Sequence, residues 1–287
     1  YRQELYFDIE FHQYLQFTFY KQWMKLKEYA NENGVLIIGD IPIYVAMDSA
    51  DTWANPELFQ LDKENVPLAV AGCPPDGFSA TGQLWGNPLY RWDYHERTGY
   101  DWWMKRLSYC FKMYDVVRID HFRAFDTYWK IPASCPTAVE GEWIEAPGYA
   151  LFDTIYETYP DMNIVAEDLG ELRPEVLVLR DHYNLAGMRI IQFTFEPKRE
   201  MEDRENLLVY TGTHDNESLK GWYSRKDSEF KKHTRAFLKK NKYRYPKVLD
   251  NLMMYTLDTK ARLAILPMLD ILHKNDSCRL NTPGTVG

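Results

Sequence analysis

Short apolar runs that alternate with helical segments constrain the fold more than any other feature of the sequence. Six such runs follow one another along the chain: VLIIGDIPIYV, VVRID, NIVAEDLG, MRIIQFTF, LLVYTGTHD and LAILPM. The first run is apolar over the length of a strand, which predicts a strand buried on both faces. Strands that alternate with helices predict βα units and a parallel sheet. An eight-stranded α/β barrel without its first two strands fits six strands better than a complete doubly wound sheet, but spacing alone leaves both open.

Helical segments and one long connection separate the strands. Helices are predicted at residues 14–30, 101–114, 148–158 and 174–183 and within 226–256. The first helix carries an apolar stripe at helical spacing, formed by Leu15, Phe19, Trp23, Leu26 and Ala30. Residues 46–100 are rich in Pro, Gly, Asp and Trp and are too long for an ordinary connection, which predicts an inserted loop region. We expect one partial barrel domain over residues 1–287 with this insertion.

The bulk composition restricts the partners of the protein. A formal net charge of -8 argues against nucleic acids and anionic membranes, because both favour basic surfaces. No apolar run approaches the ~18 residues that a membrane-spanning helix needs. Aromatic residues make up 15% of the chain, which suits either a large aromatic core or flat platforms for sugar rings. The chain begins with Tyr1 and shows no signal-peptide pattern, so we expect that it starts partway through a larger protein.

The pattern of potential ligands does not indicate a metal site. The four cysteines show no CxxC spacing and no Cys/His cluster, which indicates reduced thiols in a cytosolic protein. The acidic residues at strand ends are spread over separate strands, and no EF-hand-like loop is present. Three histidines stand among charged residues and are expected to be solvated: His95, His182 and His233.

Acidic residues close four of the predicted strands. These are Asp40, Asp120, Glu167 and Asp215. A single acid at a strand end is more often a helix cap than a catalytic group. In a parallel barrel, however, these ends share one rim, where active sites are found. Four acids at four such ends, two of them next to a histidine, therefore indicate a catalytic rim.

Two of these acids have surroundings that suit glycoside chemistry. Arg118 and Asp120 are two residues apart, so on a strand they point to the same face, and the guanidinium favours the ionised carboxylate. His121 is expected to add to this support and to help hold a sugar against Asp120. Glu167 has apolar neighbours, and a drier pocket would favour its protonated form, as a general acid requires. Two carboxyl groups in unlike environments are typical of enzymes that cleave glycosides.

Several longer stretches resemble one enzyme family. RIDHFR, AEDLG, YTGTHDN and GDIPIYV are similar to the conserved regions of the 4-α-glucanotransferases, also called amylomaltases or disproportionating enzymes. These enzymes form glycoside hydrolase family 77 of the α-amylase clan. PPDGFSATGQLWGNPLYRWDYH and IPASCPTAVEGEW also resemble this family and are not shared by α-amylases in general.

The resemblance implies a (β/α)8 barrel, of which about six βα units are present, and a retaining transferase that uses no cofactor. By the same match Asp120 is the nucleophile, Glu167 the acid/base and Asp215 the stabiliser of the transition state. Residues implied to bind glucose units are Asp40, Arg118, His121, His214, Phe78, Gln83, Trp85 and Asn281. The implied substrates are maltose, maltodextrins and other α-1,4-glucans, and the implied location is the cytoplasm.

The sequence departs from the family pattern in places. Gly77 stands where many members carry a tyrosine, and the stretch from Phe195 to Leu207 is shorter than usual. The chain is expected to lack the first barrel strands and the extreme C-terminus of a typical member. Two other functions stay open. One is an α-1,4-glucan hydrolase of the same clan, and the other is a catalytically silent glucan-binding fragment.

Overall fold

The computed structural model of the chain describes residues 1–77, 79–199 and 204–283. These residues form two compact units. The first unit comprises residues 1–167 and 172–183, and the second comprises residues 168–171 and the chain from Asn184 onward.

The first unit contains six helices and seven strands among the described residues. In chain order they are α1 (Tyr6–Glu32), β1 (Ile38–Pro42), α2 (Ala50–Ala54), β2 (Ala69–Cys73), β3 (Gln83–Pro88), α3 (Trp92–Arg97), α4 (Asp101–Met113), β4 (Val116–Asp120), β5 (Thr127–Pro132), β6 (Glu142–Glu145), α5 (Gly148–Thr158), β7 (Ile164–Ala166) and α6 (Pro174–His182). Short 3₁₀ turns lie at Pro56–Leu58 and Phe122–Phe125.

The second unit contains three strands and five helices in its described part. They are β8 (Gly187–Ile190), α7 (Ile191–Thr194), β9 (Leu207–Tyr210), α8 (Leu219–Arg225), α9 (Ser228–Lys240), α10 (Val248–Leu257), β10 (Leu263–Ile265) and α11 (Met268–Ile271). A 3₁₀ turn follows at Asp276–Cys278.

Parallel sheets form the centre of both units. The strand order is β1-β4-β7 in the first unit and β10-β9-β8 in the second, so each strand of these sheets lies beside the next parallel strand along the chain. All of these pairings are parallel. Apolar side chains of the central strands are fully buried, for example Ile119 on β4 and Val209 on β9. The prediction of an α/β fold with six parallel strands is therefore confirmed for the described residues.

Two strand predictions require correction. β1 is not buried on both faces, because its residues alternate between exposed and buried. Within the described residues it pairs with β4 alone, which leaves its other edge open. The apolar run MRIIQFTF is a strand only as far as Ile190, and Ile191–Thr194 form the short helix α7. A short apolar run does not distinguish a buried strand from a buried helical turn, and here the ladder with β9 ends at Ile190.

The first helix also differs from its prediction. α1 is 27 residues long, and it contains no buried residue. In the predicted apolar stripe, Leu15, Phe19 and Leu26 are exposed. Trp23 is an exception, since its indole N–H donates to the backbone oxygen of Met113 at 2.8 Å. The prediction of a helix was therefore correct, whereas the prediction that its apolar stripe is buried was wrong.

The long segment 46–100 shares a small sheet with the chain that follows β4. The sheet has the order β3-β2-β5-β6, and its pairings are antiparallel. Beside it, the rings of Phe59, Tyr90 and Trp103 are fully buried. His95 lies in this aromatic core and is also fully buried, so the prediction that it is solvated was wrong. Its ring packs edge-on against Tyr90, with the centroids 5.3 Å apart.

The described residues contain neither a candidate membrane-spanning helix nor a candidate metal site. None of the described helices combines the length and the apolar character that crossing a membrane requires. Over the same residues, no group of three or more His, Cys, Asp or Glu side chains is arranged to hold a metal ion. All four cysteines are free thiols.

Candidate active site

Arg118 joins two acidic residues at the ends of neighbouring strands of the first unit. The parallel register places Asp40 of β1 opposite Arg118 of β4. The Arg118 Nη1 atom donates to both carboxylate oxygens of Asp40 at 2.7 Å, and Nη2 donates to Asp120 Oδ1 at 2.6 Å. Three of the predicted site residues are thus brought together.

Arg118 stays protonated although its side chain is buried. Burial by itself lowers the pKa of the guanidinium, but the carboxylates of Asp40 and Asp120 outweigh this effect and raise the pKa above its usual value. The Asp120 side chain remains 48% exposed. One of its oxygens is therefore held by a permanent cation while the carboxylate stays accessible, which suits a nucleophile.

A backbone N–H group connects the segment after Asp120 to Glu167. His121 has a left-handed backbone with φ of 55°, a conformation that histidine adopts more readily than most residues. Its N–H donates to Glu167 Oε2 at 2.8 Å. The backbone of Glu167 bonds to the same region, since its N–H donates to Ile119 O at 3.0 Å and its carbonyl accepts from Phe122 N–H at 3.2 Å. Glu167 therefore lies beside the end of β4, which carries Asp120.

The imidazole of His121 is neutral. Burial is the main cause that lowers its pKa to about 3, and the positive charge of Arg123 lowers it further. His121 therefore adds no positive charge beside Asp120 at physiological pH, contrary to the expectation from sequence. A neutral imidazole retains one hydrogen-bond donor and one acceptor for a sugar hydroxyl.

Strand β3 brings two more predicted residues to His121. The Trp85 indole stands perpendicular to the His121 ring, with the centroids 4.7 Å apart. Its Nε1 atom donates to Gln83 Oε1 at 3.0 Å, and Trp85 is 36% exposed. An indole of this kind offers an apolar face to a sugar ring. Phe78, the remaining predicted residue of this stretch, lies outside the described residues.

The second unit gathers the other predicted residues at the loop after β9. This strand ends at Tyr210, so the prediction that Asp215 closes it was wrong, because the chain leaves the ladder five residues earlier. His214 Nε2 lies 3.3 Å from Asp215 Oδ2. Asn281 donates through Nδ2 to Asp215 Oδ1 at 3.0 Å and to the backbone oxygen of His214 at 3.4 Å. Arg279 donates to the backbone oxygen of Asp215 at 3.1 Å. His214, Asp215 and Asn281 thus form one cluster, in which the Asp215 carboxylate is exposed.

Sequence reasoning missed the contacts that hold these groups in place. One is the His121 N–H group, for which the only sequence signal is a residue that tolerates positive φ at a strand end. Another is Arg173, which donates to both oxygens of Asp126 at 2.5 and 2.8 Å and so ties the chain after β7 to the chain after β4. Arg279 is a third. Such partners lie far apart along the chain, so no local pattern indicates them.

The whole chain matches one family model. Residues 1–287 match glycoside hydrolase family 77, described as 4-alpha-glucanotransferase. The chain belongs to this family. Membership agrees with the resemblance that the sequence motifs indicated, and it fits a site built from carboxylates at the ends of parallel strands.

Curated relatives of this family come from bacteria and plants. A 4-alpha-glucanotransferase from Streptococcus pneumoniae serotype 4 is 45% identical, over 100% of this chain and 58% of its own length. One from Thermus thermophilus is 45% identical over 96% of this chain and 57% of its own length. A chloroplastic/amyloplastic one from Solanum tuberosum is 40% identical over 94% and 47%, respectively. The chain thus spans little more than half the length of the bacterial relatives.

Solved structures show the same relationship. An amylomaltase from Streptococcus agalactiae in complex with acarbose has a TM-score of 0.93 and 42% sequence identity, and the match covers 100% of this chain and 59% of that one. An amylomaltase from Corynebacterium glutamicum has a TM-score of 0.82 at 21% identity, over 100% and 45%, respectively, which indicates a shared fold.

Proposed function

We propose that this chain carries the catalytic residues of a 4-α-glucanotransferase that moves α-1,4-glucan segments between maltodextrins. The observation that carries the proposal is the pair of carboxyl groups at the ends of the neighbouring strands β4 and β7. Arg118 holds Asp120, and the N–H group of His121 holds Glu167. The names of the relatives support transfer to a sugar over transfer to water.

In the first chemical step, Asp120 attacks the anomeric carbon of a bound glucan, and the glycosidic C–O bond breaks. Glu167 gives its proton to the leaving oxygen, which becomes the 4-hydroxyl of the released segment. The product of this step is a covalent glycosyl ester on Asp120. The Arg118 guanidinium donates to Asp120 Oδ1 and so orients the carboxylate for the attack.

In the second step, the 4-hydroxyl of another glucan attacks the anomeric carbon of the ester. Glu167, now ionised, takes the proton of that hydroxyl, and the bond to Asp120 breaks. Two inversions give net retention of configuration. With water as the acceptor, the same steps would be hydrolysis, so the choice of acceptor defines the transferase.

The other predicted residues are assigned to binding the glucan. Asp215 is assigned to the hydroxyls of the distorted ring in the transition state. The remaining contacts to glucose units are assigned to Asp40, His121, His214, Phe78, Gln83, Trp85 and Asn281. We further propose that the two parallel sheets belong to an incomplete (β/α)8 barrel domain with an insertion at 46–100, and that the protein acts in the cytoplasm.

Product analysis on maltotriose tests the proposal with the full-length protein. We expect glucose together with maltodextrins longer than maltotriose, which only transfer produces. Asp120→Asn should lower the rate at least about 10³-fold, as loss of a nucleophile does. Asp93→Asn, the same change on the exposed face of α3, is the matched control and should retain the wild-type rate.

Two other outcomes contradict the proposal. Equal amounts of glucose and maltose without longer products would identify a hydrolase. Binding of maltodextrins without turnover in the full-length protein would identify a glucan-binding module.

A further inference from the structure

A buried carboxylate bridges the two ends of the loop that carries His214 and Asp215. This loop, residues 211–219, runs from the end of β9 to the start of α8. Asp270 on α11 contacts both of its ends. Thr211 Oγ1 donates to Asp270 Oδ2 at 2.6 Å, and the Leu219 N–H donates to Asp270 Oδ1 at 2.7 Å.

These two hydrogen bonds are shielded from solvent. Asp270 is 2% exposed, and Thr211 and Leu219 are fully buried. Burial raises the pKa of the Asp270 carboxyl, and the bonds from Thr211 and Leu219 counteract part of that rise. Water cannot reach this position. Loss of the Asp270 carboxylate would therefore leave two buried donors, the Thr211 hydroxyl and the Leu219 N–H, without partners.

The same loop has further contacts to the chain after α11, but these are more exposed. Asp276 accepts from the Ser218 N–H at 2.8 Å, and Arg279 and Asn281 bond to His214 and Asp215 as described above. Solvent can substitute for contacts of this kind.

Gln192 of α7 also spans the loop, since its backbone N–H donates to the Thr211 carbonyl at 3.3 Å and its side-chain amide donates to the Glu217 carbonyl at 2.7 Å. Asp270 differs from Gln192 in that it accepts both of its bonds, one from each end of the loop, through one buried carboxylate.

We propose that Asp270 is a positioning residue that sets the orientation of Asp215 by fixing both ends of the 211–219 loop. The inference rests on the proposed function, because it requires Asp215 to act on the sugar in the transition state. Asp270 itself is buried behind the loop and does not contact the glucan. It acts through hydrogen-bond geometry.

This geometry predicts how two substitutions differ. Asp270→Ala leaves Thr211 and Leu219 unpaired and releases the loop. In Asp270→Asn, the amide oxygen accepts from the Leu219 N–H, and the amide N–H₂ donates to the Thr211 hydroxyl, which also serves as an acceptor. The asparagine variant should therefore keep the loop closed without the charge.

The test compares turnover of maltotriose by variants of the full-length protein. Because a displacement of about 1 Å costs on the order of 100-fold in rate, Asp270→Ala should lower kcat by about that factor and change KM less than about threefold. Asp270→Asn should stay within about fivefold of the wild type. The matched control is Asn251→Ala, which removes another buried side chain that bridges a loop of the same unit, at Tyr245 and Lys247. It should lower the melting temperature and leave kcat unchanged.

A double-mutant cycle with Asp215 separates positioning from general destabilisation. A glycosyl fluoride donor keeps the slow variants measurable. If Asp270 acts through Asp215, then adding Asp270→Ala to Asp215→Ala should cost less than about threefold.

Three results would contradict the proposal. An equal loss from Asp270→Ala in both backgrounds, or an asparagine variant as slow as the alanine variant, would overturn the positioning role alone. A near wild-type rate for Asp215→Ala would remove the proposed role of Asp215 and this inference with it.

Discussion

Glu167 receives a backbone hydrogen bond from the residue that follows the proposed nucleophile. This bond ties the two carboxyl groups to one short segment, since His121 adjoins Asp120 and donates to Glu167 Oε2. The proposed acid/base group, Glu167, is thereby placed by the backbone, which varies less in position than a side chain. At the residue scale, the position of Asp120 depends on the buried Arg118 guanidinium, and the position of Glu167 depends on the backbone of His121, which has positive φ.

This arrangement predicts the behaviour of Glu167→Gln with an activated donor. A fluoride leaving group needs little protonation, so formation of the glycosyl ester on Asp120 should survive in the variant. Transfer to the second glucan still requires a base, and it should slow by about 10²–10⁴-fold. Mass spectrometry of the full-length variant after addition of a maltosyl fluoride should show the trapped adduct on Asp120. Normal steady turnover without an adduct would exclude Glu167 as the acid/base.

Helix α3 places a histidine where protonation is unfavourable. His95 Nε2 lies 3.2 Å from the Leu58 backbone oxygen, and Nδ1 has no partner among the described atoms. The rings of Tyr90, Trp92 and Trp102 surround it. Burial lowers the pKa of His95 to about 4, although the Leu58 bond and the charge of Asp93 oppose the shift. At the element scale, protonation of His95 therefore makes the stability of the small aromatic core depend on pH.

The lowered pKa predicts a loss of stability in mild acid. The unfolded state takes up a proton at His95 near pH 6.5 and the folded state only near pH 4, so the contribution of neutral His95 to stability is lost as the pH falls through this window. At about 1.4 kcal/mol per pH unit, the loss reaches about 3 kcal/mol. His95→Phe should flatten the dependence of the unfolding free energy on pH between 6.5 and 4. Denaturant titrations followed by tryptophan fluorescence measure it.

The control for this measurement is His182→Phe, which changes an exposed histidine on α6. It should leave the slope of unfolding free energy against pH as in the wild type. An unchanged slope in His95→Phe would mean that the His95 site accepts a proton without cost.

At the scale of the whole molecule, helix α1 stands out because none of its side chains is buried. Its exposed residues include many large apolar side chains, among them Phe7 at 81% exposure, Phe11 and Phe17. Contiguous apolar surface of this kind marks a contact region or an aggregation risk. The net charge of -8 opposes association only at long range and is screened by salt.

We therefore expect residues 1–287, when produced alone, to associate in a concentration-dependent manner. Sedimentation velocity over a range of concentrations should show species heavier than the monomer. Replacing both Phe7 and Phe11, which share one helix face, with glutamate should reduce the association. Trp53→Glu, a change at an exposed aromatic residue outside α1, should not. A single monomeric species at every concentration would contradict the expectation.

The sequence by itself determined the order of the six parallel strands and of the main helices between them, but it did not indicate the antiparallel sheet β3-β2-β5-β6. β4, α4 and α5 were predicted to within about one residue, because hydrophobic period and strand length are local properties. The acids Asp40, Asp120 and Glu167 could be assigned for the same reason, since each directly follows or ends an apolar run. Family motifs then supplied their proposed roles.

Only the tertiary structure decided how distant groups meet. Arg118 lies 78 positions from Asp40 and His121 lies 46 positions from Glu167, so these contacts depend on strand pairing and register. The buried state of His95, the exposed face of α1 and the link from Asp270 to both ends of one loop were likewise beyond any local pattern. Hydrogen bonds and burial are properties of the packed chain, because they depend on which surfaces face each other after folding.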